Sequence, residues 1–239
     1  MADNSATTPA LLLTRLVASF AVVLACAIAC GELLELAENP DGSTSFDSSI
    51  TSWVVAHRTD GLTTLAHGLS TLGSQAVLTP VACVVAAVLL VRRRFVPAAA
   101  LIAAWGGAIL LYSLTKLFVH RQRPPMDIWL TDVGRTTSFP SGHATQSLAT
   151  FLALALVGAA WLSKPRFPGA VLALILAIGV GWSRVYLGVH WTTDVFAGWL
   201  IASVWIALVV GVAAAARDQY GPADELAPSG TEHGDESGA

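Results

Sequence analysis

Residues 169–215 read GAVLALILAIGVGWSRVYLGVHWTTDVFAGWLIASVWIALVVGVAAA. Two apolar runs, Gly169 to about Leu187 and Asp194 to Ala215, are each about long enough to cross a bilayer as a helix. Where they meet stand Ser183, Arg184, His190 and Asp194. Ionisable side chains are costly near the hydrocarbon, so a chain that keeps an arginine, a histidine and an aspartate at such a join has a use for them.

Working outward, the composition agrees. Of 239 residues, 54% are hydrophobic and 12% charged, and the mean hydropathy is +0.65. A soluble domain carries roughly 25% charged residues. Disordered, collagen-like and nucleic-acid-binding chains are thereby excluded, and an all-α polytopic membrane protein is expected. Six spans are predicted: Leu11 to Gly31, Ser74 to Val91, Val96 to about Phe118, Gly142 to Leu162, Gly169 to about Leu187, and Asp194 to Ala215. The 31 residues from Gly61 to Val91 contain no Asp, Glu, Lys or Arg, more than one span needs, so they divide near Gly73-Ser74 into a partly interfacial helix followed by the second span. The first apolar run is longer than a signal-peptide core and reads as an uncleaved anchor. Residues 1–10 form the N-terminus, 11–217 the six-span domain, and 218–239 a disordered tail rich in Gly, Pro, Ser and acid. Six of the 16 acids lie in that tail, so the net charge of -3 conceals a cationic body. Cys26, Cys30 and Cys83 sit in apolar runs with no CxxC, which argues for small packing residues and against a disulfide framework.

Orientation follows from the cations, which are retained on the cytoplasmic side near span ends. With both termini inside, the inner face collects Arg15, Arg92, Arg93, Arg94, Lys164, Arg166 and Arg217, and the outer face Arg58, Lys116, Arg121, Arg123, Arg135 and Arg184. Seven against six decides little until Lys116, Arg123 and Arg184 are set aside for chemistry, which leaves seven against three. Trp53, Trp129, Trp161, Trp182 and Trp191 fall near span ends, as an interfacial belt would.

In a six-span chain of this hand, four polar span ends share the outer side. Lys116 and Arg123-Pro124 close the third span, Pro140-Ser141-Gly142-His143 opens the fourth, Ser183-Arg184 closes the fifth, and His190 and Asp194 open the sixth. Three cations converging without matching acids repel each other unless a multiply charged anion lies between them. Phosphate suits them, because arginine presents a planar fork and lysine a point charge. Ser141 and Gly142 begin a helix, where unpaired amides and the dipole favour an anion. His190 and Asp194, four apart on one helical face, let the carboxylate fix the tautomer that leaves the other ring nitrogen free to attack. His143 is then left to give and take the proton. Nothing in this division of labour calls for a metal or another cofactor.

Lys116-x6-Arg123-Pro124, Pro140-Ser141-Gly142-His143 and Ser183-Arg184-x5-His190-x3-Asp194 together resemble the three-part signature of the type 2 phosphatidic acid phosphatase family, membrane lipid phosphatases related to glucose-6-phosphatase and the vanadium haloperoxidases. The resemblance spans positions 116 to 194 and fills every signature position. It implies a six-helix core and a metal-free lipid phosphatase. By the same resemblance His190 is the nucleophile that becomes phosphohistidine, Asp194 its orienting partner and His143 the acid to the leaving group, while Lys116, Arg123, Ser141, Gly142 and Arg184 hold the phosphoryl oxygens.

Blander readings stand beside these. Lys116, Arg123 and Arg184 could be boundary residues snorkelling to the interface. His143, His190 and Asp194 could hold a metal with His120, although the neighbouring cations oppose a dication. The expected function is hydrolysis of a lipid phosphate or diphosphate in the cell membrane, at a site on the extracytoplasmic side. Polyprenyl diphosphate, phosphatidylglycerol phosphate and phosphatidic acid are the candidate substrates. A phosphotransferase using the same phosphohistidine, a haloperoxidase and a non-enzymatic scaffold are the alternatives. Lipid choice and oligomeric state have no readable code here.

Overall fold

In a computed structural model, which describes residues 9–36, 42–134, 136–162 and 166–220, the two quoted runs are the helices α7 (Arg166–Tyr186) and α8 (Thr192–Tyr220). Ahead of them come α1 (Pro9–Leu36), α2 (Ser45–Ala56), α3 (Asp60–Leu72), α4 (Gln75–Val91), α5 (Phe95–Phe118) and α6 (Gly142–Leu162). A single 3-10 turn, Met126–Ile128, lies in the α5–α6 connection, and the described residues contain no strand. The all-α class is as expected.

Helix bounds follow the apolar runs closely. α6 has the predicted limits, and α5 begins one residue earlier than predicted. α3 and α4 divide at Gly73-Ser74 and are bent by 41° there. Among the described residues, four helices are long and apolar enough to cross a membrane (α1, α5, α7 and α8), and α3 with α4 makes a fifth span if taken together. α6 carries His143, Thr145, Gln146, Ser147 and Thr150 on its first turns. Those residues face inward: Thr145, Gln146, Ser147 and Thr150 are all buried. α8 runs on through residues 218–220, so its helix enters the stretch assigned to the tail; 221–239 lie outside the described residues, as do residues 1–8, Arg135 and Lys164.

Packing depends on small side chains. α5 presents Ala98, Leu101, Ala104, Ala108 and Leu111 to the interior, all fully buried, and it contacts α4, α6 and α8. Gly107 leaves room for the Trp205 ring of α8, against which any Cβ would clash. Trp205 Nε1 then donates to Ala103 O at 3.0 Å, so the indole ties two spans together without an orphaned donor. The cysteines are free, as expected, but all three are exposed on the bundle surface.

A second apolar cluster lies at the end of the bundle where α6 and α8 begin and α7 ends. It is built from Val54, Ala66, Ala144, Val185, Tyr186, Leu187, Val189 and Val195. Into it reaches α2, a helix within the acidic first loop that hydropathy does not detect. Thr44 caps α2 by accepting from Asp47 N at 3.1 Å, and Thr59 caps α3 by accepting from Leu62 N at 3.3 Å. Arg58, between them, donates through Nε and Nη2 to Tyr186 O at 3.1 and 2.8 Å, occupying a carbonyl that the end of α7 leaves open.

Candidate active site

The α7–α8 connection places the histidine. Gly188 adopts φ +77°, and a Cβ there would meet Ile128 O at 2.6 Å, so this turn needs glycine for its conformation and for the close approach of the α5–α6 connection. Leu130 N donates to Leu187 O at 3.0 Å and holds the two connections together. His190 follows, buried, one residue before Trp191 and four before Asp194. Trp191 was assigned to the interfacial belt; instead it is buried and donates through Nε1 to Gln122 O at 2.9 Å.

His190 Nδ1 lies 3.3 Å from Asp194 Oδ2, and its Nε2 lies 3.2 Å from Arg123 Nη1. A guanidinium can only donate, so Nε2 carries the lone pair and Nδ1 carries the proton toward the carboxylate. Asp194 Oδ2 also accepts from Ser138 Oγ at 2.5 Å and Trp191 N at 2.9 Å, and Oδ1 accepts from Arg121 Nη1 at 2.6 Å. Burial, then Arg123, and also Lys116, hold the His190 imidazole well below its ordinary 6.5, against the opposing pull of Asp194. The ring is therefore neutral at pH 7.

The cations gather around it. Arg123 donates through Nε to Thr136 O and through Nη2 to Thr136 Oγ1, both at 2.9 Å, and through Nη1 to Val189 O. Burial lowers its guanidinium from the ordinary value while Asp194 raises it. Lys116, on the last turn of α5, donates to Thr137 O at 2.5 Å and Ser138 O at 3.2 Å, and it lies within electrostatic range of Arg123 and Asp194. Arg184, on the last turn of α7, is buried, donates through Nη1 to Ser70 Oγ, and feels the charge of Arg123; its Nε has no hydrogen-bond partner among the described residues. His143, half-buried on the first turn of α6, feels both arginines.

At the start of α6 one detail departs from expectation. Ser141 N donates to Asp194 O at 3.1 Å, so that amide is already taken, and Ser141 Oγ lies 3.5 Å from Ala144 N in the capping position. The following amides, of Gly142 and His143, belong to the first turn, which has no intrahelical acceptors. An open cavity of about 450 Å³ adjoins the cluster, lined among others by Arg121, Arg123, Pro124, Met126, Trp129 and Thr136. Among the described residues no three His, Cys, Asp or Glu side chains converge in a way that could hold a metal ion. His120 meets Glu35 through its backbone N, 2.5 Å from Oε1.

The profile of the PAP2 superfamily matches residues 97–218, just over half of the chain and all three clusters. The chain belongs to the PAP2 superfamily. It is similar to phosphatidylglycerophosphatase B of Bacillus subtilis, with 28% identity over 75% of this chain and 89% of the relative. It is also similar to decaprenylphosphoryl-5-phosphoribose phosphatase of Mycobacterium tuberculosis, with 32% identity over 64% and 81%. The crystal structure of the transmembrane PAP2 phosphatidylglycerolphosphate phosphatase of Bacillus subtilis superposes with a TM-score of 0.68 at 27% identity, covering 79% of this chain and 94% of that one. The expected enzyme class, a phosphoric ester hydrolase, and a multi-pass membrane protein both stand.

Every PAP2 signature residue named from the sequence is at this end of the bundle: Lys116, Arg123, Ser141, Gly142, His143, Arg184, His190 and Asp194. Four further residues of the cluster were not singled out. Arg121 stands in the sequence reading only among the outer-face cations, and Asp47, Ser138 and Thr193 are not marked there as site residues. A third cation in the eight residues from Lys116 to Arg123 was the available signal for Arg121; Asp47 offered none, because its partners on other elements are 74 and 146 positions away.

Proposed function

We propose that the chain hydrolyses a lipid phosphate or diphosphate through a phosphohistidine at His190. The observation that carries this reading is the orientation of His190, with Nδ1 toward Asp194 and the unprotonated Nε2 facing the cationic cluster. Nε2 attacks the terminal phosphorus, the N–P bond forms, the P–O bond to the lipid, or to the lipid phosphate of a diphosphate, breaks, and His143 delivers a proton to the departing oxygen. Water then attacks phosphorus, His143 takes its proton, and the N–P bond breaks to free inorganic phosphate and His190. Lys116, Arg123 and Arg184 hold the phosphoryl oxygens, assisted by the Gly142 amide and the Ser141 hydroxyl, and strengthen their hold as charge moves onto those oxygens. The site faces the extracytoplasmic side, where the substrate's head enters and its chains stay in the bilayer.

Phosphate release from purified enzyme, measured across polyprenyl diphosphate, phosphatidylglycerol phosphate and phosphatidic acid, tests the reading. Release from at least one lipid, undiminished by EDTA, is expected. Inhibition by EDTA that a single dication restores would overturn the metal-free mechanism, and phosphate passed to an acceptor other than water would favour a phosphotransferase.

A further inference from the structure

Arg121 lies two residues before Arg123, yet its side chain points the other way, behind the histidine. It is fully buried, as is Asp47 on the first turn of α2. Arg121 Nη1 donates to Asp194 Oδ1 at 2.6 Å and Thr193 Oγ1 at 2.7 Å, and Nη2 donates to Asp47 Oδ2 at 2.8 Å. Asp47 accepts further from Thr193 N at 3.0 Å, Thr193 Oγ1 at 2.7 Å and Thr44 Oγ1 at 2.9 Å. Asp194 thus serves His190 with one oxygen and Arg121 with the other.

Charge decides what this arrangement does. Paired with Arg121 alone, Asp194 would form a neutral couple, and His190 would face Lys116 and Arg123 with little to offset them. Asp47 supplies a second carboxylate, so the three buried groups keep one net negative charge beside the histidine. We propose that Asp47 and Arg121 are positioning residues that set the orientation and effective charge of Asp194, so that α2, from the first loop, completes the active site. The inference rests on the reading of His190 as nucleophile.

Among the described residues, Asp194 of α8, Arg123 of the α5–α6 connection and Lys116 of α5 act on His190; Arg121 of the same connection and, through it, Asp47 of α2 are bonded to Asp194, and His143 of α6 and Arg184 of α7 share the field of Arg123. Removing a negative charge from this set makes His190 harder to protonate, and removing a positive one makes it easier. In purified enzyme, Asp47→Asn is expected to lower kcat on the order of 10- to 100-fold, by analogy with the loss seen when the outer hydrogen-bond partners of metal-bound side chains are removed, with KM little changed. Its acid limb in the pH–rate profile should move down by about one pH unit, and that of Arg121→Gln should move up by a similar amount.

A staple that only holds the fold would lower the yield of folded enzyme and leave both limbs in place, and that result overturns the proposal. Where neither variant is recovered folded, Arg121→Lys serves. It keeps the charge but cannot span two carboxylates as a fork does, so kcat should fall with KM little changed, and parental kcat would count against the proposal. His190→Ala is measured alongside. If it retains phosphate release, the nucleophile reading itself has failed; if it is inactive while Asp47→Asn and Arg121→Gln match the parent, only this inference has.

Discussion

At the scale of the residue, the proposed chemistry depends on one imidazole whose two nitrogens meet opposite kinds of group. Among the described residues Asp194 is the only carboxylate bonded to the ring, and Arg123 reaches its other nitrogen. Asp194→Asn would offer Nδ1 a side chain that can present an amide donor, disturbing the tautomer, and phosphate release should fall on the order of 10²- to 10⁴-fold by analogy with other carboxylate–histidine pairs. Burial, with Arg123 next, also makes a stability prediction. The unfolded imidazole titrates near 6.5, whereas the folded one is held well below it. Between those values the unfolded state binds a proton that the folded state refuses, so the stabilisation is complete above about 6.5 and is lost as pH falls below it. The melting temperature in detergent should therefore decline between pH 7 and pH 5, and less steeply in His190→Gln; equal slopes would show that this histidine does not titrate with unfolding.

At the scale of the element, helix ends bring distant residues together. α5 and α7 contribute their last turns and α6 and α8 their first, so Lys116, His143, Arg184 and Asp194 meet although none is a sequence neighbour of another. The join before His190 depends on Gly188. In Gly188→Ala the left-handed backbone is strained and the new Cβ meets Ile128 O, so a loss of about 1–3 kcal/mol is expected in detergent unfolding, with kcat reduced because the turn aims His190. Parental stability and kcat would show that the join adapts. Much of this architecture was legible in the sequence: α5 and α6 are mainly apolar runs whose polar residues gather at the end nearest the site, and the break at Gly73-Ser74 is marked by composition alone. α2 was not legible, because its residues are only modestly apolar and its buried Asp47 finds partners across the fold. Trp191 misled for a related reason, since an aromatic near a span end looks alike whether it meets lipid or Gln122 O.

At the scale of the whole molecule, the charges sort by task. Arg92, Arg93 and Arg94 are exposed at the end of the bundle where α4 gives way to α5, at the opposite end of α5 from Lys116. With the arginine turn inside, a cysteine introduced at Asp132 should react with a membrane-impermeant maleimide added to intact cells, and one at Arg93 should react only after lysis; the reverse pattern would place the site on the cytoplasmic face. The central claim is that three clusters from separate helices act as one phosphoryl-transfer site with His190 as nucleophile. The direct measurement is to quench the enzyme during turnover of a lipid labelled in its phosphate and to examine the protein. An acid-labile, alkali-stable phosphoenzyme on His190 is expected, and it should be absent, together with phosphate release, from folded His190→Ala. Undiminished phosphate release by that variant would contradict the claim.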